Sequence, residues 1–335
     1  MANYDVFGLG NALMDVVSFI PDDVLKKLKL DKGIMHLVDD NKSREIASAI
    51  SKYKTISVPG GSCANTMSTI SMLGGKAVYT GIVADDMFGR MYENKITSRG
   101  VKTLIRKVSE GITGQSIILT TPDAERTMNT NLGVCRNYAK SDINVDVLSD
   151  SAIFHCTGYQ WDTDSQKEAV KFAMTTAKAK NVKISFDIAD PFCIGRNADE
   201  FMKVITENVN ILFGNKEEVK MLTGKDDPIE AGKMIADMGV EIVVVKVGSQ
   251  GSYIFNKGNM IKVDIYKAEK VLDSTGCGDI YGGGFLYGLT KGYDLETCGK
   301  IASLMAAQII SVPGVQLENL DFDAIHTFIK DNILK

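Results

Sequence analysis

The sequence predicts an α/β fold: a mostly parallel central sheet with helices on both faces and a small β-sheet lid projecting from it. From Ile153 onward, apolar strand-like runs alternate with helical stretches, the order that successive strand–helix units produce. The run Val240–Gly248 (VEIVVVKVG) is almost entirely β-branched, as a strand covered on both faces requires, and is expected in the middle of the sheet. Two segments, near Asp15–Asp39 and Val101–Gly133, break this rhythm.

Taken in order, Tyr4–Gly10 reads as the first strand, followed by helices near 41–52, 62–73 and 87–99. TGQSIILTT and ERTMNTNLG read as hairpin strands joined by the turn PDAE. Next come the strand AIFHCTG, a helix near 164–180, the strand VKISFDIA, a helix near 192–207 and the strand VNILFG. The expected division assigns 1–13, 41–100 and 136–335 to the α/β core. Residues 14–40 and 101–135 go to a discontinuous lid over the C-terminal strand ends, where open α/β sheets bind ligands.

The 335 residues are 44% hydrophobic and 24% charged, the balance of a globular protein with a sizeable core. Thirty-eight basic and 42 acidic residues leave a net charge of −4 without long runs of one sign. Such a surface builds no field for nucleic acid or an anionic membrane, so a small-molecule partner is expected. No apolar stretch reaches the roughly 20 residues needed to span a bilayer, and a cytoplasmic location is expected. Whether the chain is a monomer or a homodimer is left open. Six scattered cysteines without a CxxC pair read as reduced thiols. His155 and Cys156 are neighbours, but successive strand residues point to opposite faces, so a structural role is expected for both.

The strongest local signal is Asp273-Ser-Thr-Gly-Cys-Gly-Asp279, opening a helix through a glycine-rich turn to about Thr290. Gly276, Cys277 and Gly278 can converge three backbone N–H groups on an anion at the helix N-terminus. A carboxylate at Asp279 would repel that anion, which a reactive role explains; the plainer alternative is a first-turn acid favoured by the helix dipole. Pro59-Gly-Gly-Ser-Cys-Ala-Asn65 opens another helix. Its two glycines permit close ligand approach and Asn65 offers both a donor and an acceptor, although Ser62 could simply be the N-cap. Asp15, reached from Gly8-Leu-Gly10-Asn11, could accept from two vicinal hydroxyls or be a turn residue. Neither GxxxxGK[ST] nor GxGxxG occurs in place, which removes the P-loop and weakens a dinucleotide oxidoreductase.

Together these clusters resemble the ribokinase-like (PfkB) carbohydrate kinases over nearly the whole chain. The resemblance extends to Leu73-Gly-Gly through Asp85-Asp86-Met-Phe-Gly89, to Asn215-Lys-Glu-Glu218 and to Val245-Lys-Val-Gly-Ser-Gln-Gly251. Cys277 stands where the family usually has Ala, and Ser274 where Thr is usual. Within the family, Val6–Asp15 and the spacer through Asp22–Leu28 are most similar to the adenosine kinase subgroup.

The resemblance implies a ribokinase-like three-layer sandwich and an ATP- and Mg²⁺-dependent kinase acting on the 5′-hydroxyl of adenosine. The alternatives are a ribokinase- or fructokinase-like sugar kinase or another nucleoside kinase. It implies Asp279 as base, the Gly276, Cys277 and Gly278 amides as charge stabilisers, and Arg126 as a lid arginine for the transferring phosphate. Asn11, Asp15, Gly60, Gly61, Ser62 and Asn65 would hold or border the sugar, and Met128 and Phe192 the base. Lys246, Gly248 and Gly251 would border the nucleotide, Asn215 and Glu218 would organise Mg²⁺ through water, and a K⁺ is implied near Asp273, Thr275 and Gly314.

Overall fold

The computed structural model describes residues 2–334 apart from 124, 269 and 313. Its strands are β1 (Tyr4–Leu9), β2 (Leu13–Phe19), β3 (Met35–Leu37), β4 (Thr55–Pro59), β5 (Ala77–Ala84), β6 (Lys102–Val108), β7 (Gly114–Thr120), β8 (Arg126–Asn131), β9 (Ser151–Thr157), β10 (Lys183–Asp187), β11 (Ile211–Asn215), β12 (Ile242–Lys246), β13 (Ser252–Asn256) and β14 (Asn259–Val263). They form a nine-stranded sheet, β14-β13-β12-β11-β10-β9-β1-β5-β6, and a five-stranded sheet, β3-β8-β7-β2-β4. Pairing is parallel from β12 through β6, and β13 and β14 add an antiparallel edge.

The large sheet is a two-sided core. Successive residues of one strand enter opposite hydrophobic layers: Phe7 against Val6, Val78 against Tyr79, Val243 against Val244. Full burial of Ile242–Val245 confirms that the β-branched run is covered on both faces. Its place is different from that expected: β12 is third from an edge, because the antiparallel hairpin β13–β14 stops the sheet beyond it.

The lid strands also depart from the expected division. β6 stays in the large sheet, since β5, the helix Met87–Ser98 and β6 form a parallel crossover that returns to the parent sheet. β4 pairs antiparallel with β2 in the small sheet, and the helix Asp40–Ile50 packs Ile46 and Ile50 on the outer lid face with Ile117 and Leu119. β7 and β8 form the expected antiparallel pair; residue 124 of the turn PDAE lies outside the described residues.

Strand order runs outward from β1 in both directions, through β5 on one side and β9 on the other. The crevice at the C-terminal ends of β1 and β9 is therefore the topological switch point. At that point the chain leaves β1, crosses Gly10–Ala12 and enters the lid as β2. The helices Ser62–Met72 and Cys277–Thr290 pack closely beneath it: a Cβ at Gly283 would lie 2.6 Å from Thr69 Cβ, so only glycine permits this approach. Among the described residues, no helix is long and apolar enough to cross a membrane.

Candidate active site

A cavity of about 960 Å³ separates the C-terminal strand ends from the inner lid face. Asn11 follows β1, Thr157 ends β9, Asp187 ends β10, Asn215 ends β11 and Lys246 ends β12, and all five line it. From the lid come Leu13 and Asp15 of β2, Met35 and Leu37 of β3, and Arg126 and Met128 of β8.

Asp279 is the third residue of the helix Cys277–Thr290 and faces the cavity. Its Oδ1 accepts from Ser62 Oγ at 2.6 Å and its Oδ2 from Asn65 Nδ2 at 2.9 Å. Ser62 is free for this contact because Gly61, with φ of 89°, is the N-cap of its helix. A Cβ at Gly61 would lie 2.4 Å from the Asn11 carbonyl oxygen, so the glycine also brings this helix against the chain crossing. Burial raises the Asp279 carboxyl above the ordinary range, opposed by the Asn65 and Ser62 hydrogen bonds and by Lys246. Thus Ser62 and Asn65, expected on the sugar, grip the carboxylate; Asn65 Oδ1 is buried without a hydrogen-bond partner among the described residues.

The loop before the helix is built around Asp273. Its carboxylate accepts from Thr275 N at 2.9 Å, Thr275 Oγ1 at 2.6 Å, Gly314 N at 2.9 Å and Arg126 Nη1 at 2.6 Å. The last contact joins lid to core. Of the amides expected to converge on an anion, that of Cys277 is donated to Ser274 O at 3.2 Å within the turn, which corrects its assignment. The Gly276 and Gly278 amides meet no acceptor among the described residues, and Gly276 holds φ of 68° at the N-cap. Lys246 lies beside them: a Cβ at Gly278 would stand 3.0 Å from its Nζ.

Lys246 Nζ also pairs with Asp187 Oδ2 at 3.1 Å. Burial disfavours its charge, but Asp187 and Glu218 outweigh that and hold it above the ordinary lysine range. Asn215 N and Nδ2 donate to the two Glu218 oxygens at 2.7 and 2.6 Å, closing a capping box on the helix Lys216–Thr223. Burial pushes Glu218 up to about 7, against the pull of Lys246. Asp187 and Glu218 are oxygen donors of the kind a hard divalent cation takes, and with both Glu218 oxygens engaged, contact through water suits them. Asp15 is pushed up to about 7 by burial and by the neighbouring charge of Asp279, with Arg126 opposing.

Several expected residues act at one remove. Asn11 Nδ2 donates to Tyr159 O at 3.1 Å and its Oδ1 accepts from Gln166 Nε2 at 2.7 Å, so Asn11 braces the switch point. A Cβ at Gly60 would lie 2.2 Å from Asp15 Oδ2; Gly60 makes room for that carboxylate. Gly248 and Gly251 line the cavity, and Gly251 packs where a Cβ would meet Val263 O at 2.0 Å. Phe192 is a correction: it does not line the cavity, and its ring lies 4.2 Å from the Arg196 guanidinium at the start of the helix Pro191–Asn208. The cavity aromatic on that side is Tyr159. Asp187, Tyr159 and Asp162 were missed. Asp187 had a signal, a lone acid closing the apolar strand KISFD; the other two lie in a 3₁₀ turn or just after it, which carries no periodicity.

Residues 30–321 match the pfkB family of carbohydrate kinases. The chain belongs to this family. Its fold is ribokinase-like, and its chemistry is phosphoryl transfer to an alcohol in a kinase family that uses ATP. A solved adenosine kinase from Sinorhizobium meliloti is 32% identical, with a TM-score of 0.88 over 94% of this chain and 96% of that one. An uncharacterized sugar kinase from Archaeoglobus fulgidus is 32% identical over 74% of this chain and 96% of its own. A 5-dehydro-2-deoxygluconokinase from Bacillus licheniformis is 29% identical over 83% of this chain and 86% of its own.

Proposed function

We propose that this pfkB kinase transfers the γ-phosphate of ATP to the 5′-hydroxyl of adenosine. The observation that carries the reading is the apolar part of the cavity lining: Leu13, Met35, Leu37 and Met128 from the lid, together with Leu132 and Tyr159. A flat heterocycle buries its faces on such a wall, whereas a free sugar would leave it wet. The likeness to the Sinorhizobium meliloti adenosine kinase supports the same acceptor.

The sugar-kinase reading rests on the names of the curated relatives. A gluconate acceptor brings its own carboxylate, and the cations lining the cavity are Arg126, Lys246 and Lys267. Arg126 pairs with Asp273 and Lys246 with Asp187, and the proposed reaction turns both toward phosphate, with Lys267 the remaining cation on the described lining. The acceptor half instead presents Asp15 and Asp162, a lining that favours a neutral acceptor. A coupled assay offering adenosine, inosine, ribose, fructose and 5-dehydro-2-deoxygluconate in parallel decides between them. Turnover of adenosine above all the others is expected, and preference for any sugar overturns the reading.

In the proposed reaction, Asp15 accepts from the vicinal ribose hydroxyls and Asn65 Oδ1 offers a further acceptor. Asp279 orients the 5′-hydroxyl and takes its proton. In a loose transition state that proton leaves late, so a weak but ionised and oriented base suffices. The larger demand is negative charge spread over the phosphoryl oxygens, met by the Gly276 and Gly278 amides and by Lys246. Asn215 and Glu218 would hold Mg²⁺ through water, which supplies further neutralisation of the phosphates. Arg126 joins by exchanging Asp273 for phosphate as the lid closes and water is excluded. A K⁺ near Asp273, Thr275 and Gly314 would have to use backbone carbonyls, because protein donors occupy both Asp273 oxygens. Replacing K⁺ by Na⁺ in the assay tests it, with unchanged activity removing the ion.

A further inference from the structure

One cavity carboxylate has no part in this chemistry. Asp15 and Asp279 share one field with Arg126, and Asp187, Glu218 and Asp279 share another with Lys246. Asp162 stands outside both: burial raises its pKa, and the charged neighbours that oppose this are Arg196 and Lys167. It follows the 3₁₀ turn Gly158–Trp161 after β9, at the switch point, and lines the acceptor half beside Tyr159. Its side chain is only 5% exposed.

A carboxylate so placed is held in one orientation. Arg196 Nη2 donates to Asp162 Oδ1 at 2.6 Å, and Arg196 is itself fixed by the Phe192 ring at 4.2 Å. No protein donor meets Oδ2 among the described residues. The result is a carboxyl acceptor whose charged form one fixed guanidinium favours against burial, in a cavity whose lid side is lined by Leu and Met side chains. A ligand group facing it must donate a hydrogen bond; an acceptor there would leave two unpaired oxygens in contact at low dielectric.

We propose that Asp162 sets base specificity, with Oδ2 accepting from the exocyclic 6-amino group of the purine. This rests on the nucleoside reading above. A 6-oxo purine would present an oxygen to the same carboxylate. The pairing also gives Phe192 a role away from the base: it holds the arginine that holds the specificity residue.

The test is a cycle between a ligand group and a side chain. We would measure kcat/KM for adenosine, purine riboside (no 6-amino group), N6,N6-dimethyladenosine and inosine, with wild type and with Asp162→Asn. Wild type should favour adenosine over both donor-free analogues by about tenfold to a hundredfold, the scale of a hydrogen bond to a charged group. In Asp162→Asn, Arg196 takes the amide oxygen and turns the NH₂ toward the ligand. The adenosine advantage over purine riboside should then collapse and the inosine rate rise, while KM for ATP stays unchanged. The wild-type analogue series stands even if the variant fails to fold: equal kcat/KM for adenosine and purine riboside overturns the proposal. So does an unchanged ratio in the variant with adenosine still turned over. A wild type that phosphorylates only sugars overturns the nucleoside reading itself, and this inference with it.

Discussion

Ser62 Oγ donates to Asp279 Oδ1 at 2.6 Å, linking the first residue of one helix to the third residue of another more than 200 positions away. This contact and its Asn65 counterpart aim a buried carboxylate and favour its charged form against burial. Burial alone would favour the protonated acid, which cannot take a proton from an alcohol.

Ser62→Ala should therefore raise the Asp279 pKa further, since the lost hydrogen bond stabilised the charged form. The base works above its pKa, so the acidic limb of the kcat/KM profile should move to higher pH, with a loss of roughly tenfold near neutrality. A pH–rate profile checks this, and Ser62→Thr, which keeps a hydroxyl, should recover part of the loss.

Asp15 gives a test from the substrate side. If it accepts from the ribose hydroxyls, 2′- or 3′-deoxyadenosine leaves a buried carboxyl acceptor unpaired, at a loss of about 1–3 kcal/mol in transition-state stabilisation. Equal kcat/KM for ribo and deoxy substrates would remove that role.

The same residue shapes stability against pH. Its folded pKa of about 7 lies above the ordinary 3.8, so between those values the native state holds a proton that the unfolded chain has released. That contribution stabilises at low pH and is lost as pH rises toward about 7. In Asp15→Asn the fall in Tm of the ligand-free protein over that window should be shallower than in wild type. Thermal scans at several pH values would show it.

Asp273 ties Thr275, Gly314 and the lid residue Arg126 to one carboxylate. Asp273→Ala should lower Tm, by about 1–3 kcal/mol of stability, and raise KM for ATP, because the turn presenting the Gly276 and Gly278 amides loses its anchor. Arg126→Ala should instead lower kcat with a smaller effect on Tm, since the arginine's partner keeps its other three donors. Thermal unfolding and steady-state kinetics separate the two.

Much of this was legible in the sequence where pattern and chemistry coincide. The alternating strands and helices after Ile153 and the glycine turn before Asp279 are local signals, and the structure has both, whereas Asp15 lies inside β2 and not in a turn. What was not legible depended on partners distant in the chain. β4 is five residues with a polar start, and only its pairing with β2 assigns it to the lid. β12 reads as buried on both faces, as Ile242–Val245 are, but such burial does not say how many strands lie beyond it. Ser62 read as an N-cap because nothing local reveals that Gly61 takes that position and frees the hydroxyl for Asp279. Phe192 read as a base-stacking ring, yet the guanidinium one turn later in its own helix claims it.

The account turns on Asp279 as the proton acceptor, and the most direct measurement is turnover by Asp279→Asn alongside adenosine binding by calorimetry. The asparagine keeps shape and can keep a hydrogen bond to Ser62 or Asn65 while removing the base. The account predicts that kcat falls by about 10²–10⁴ while adenosine affinity stays within several-fold of wild type. Turnover within tenfold of wild type would contradict it.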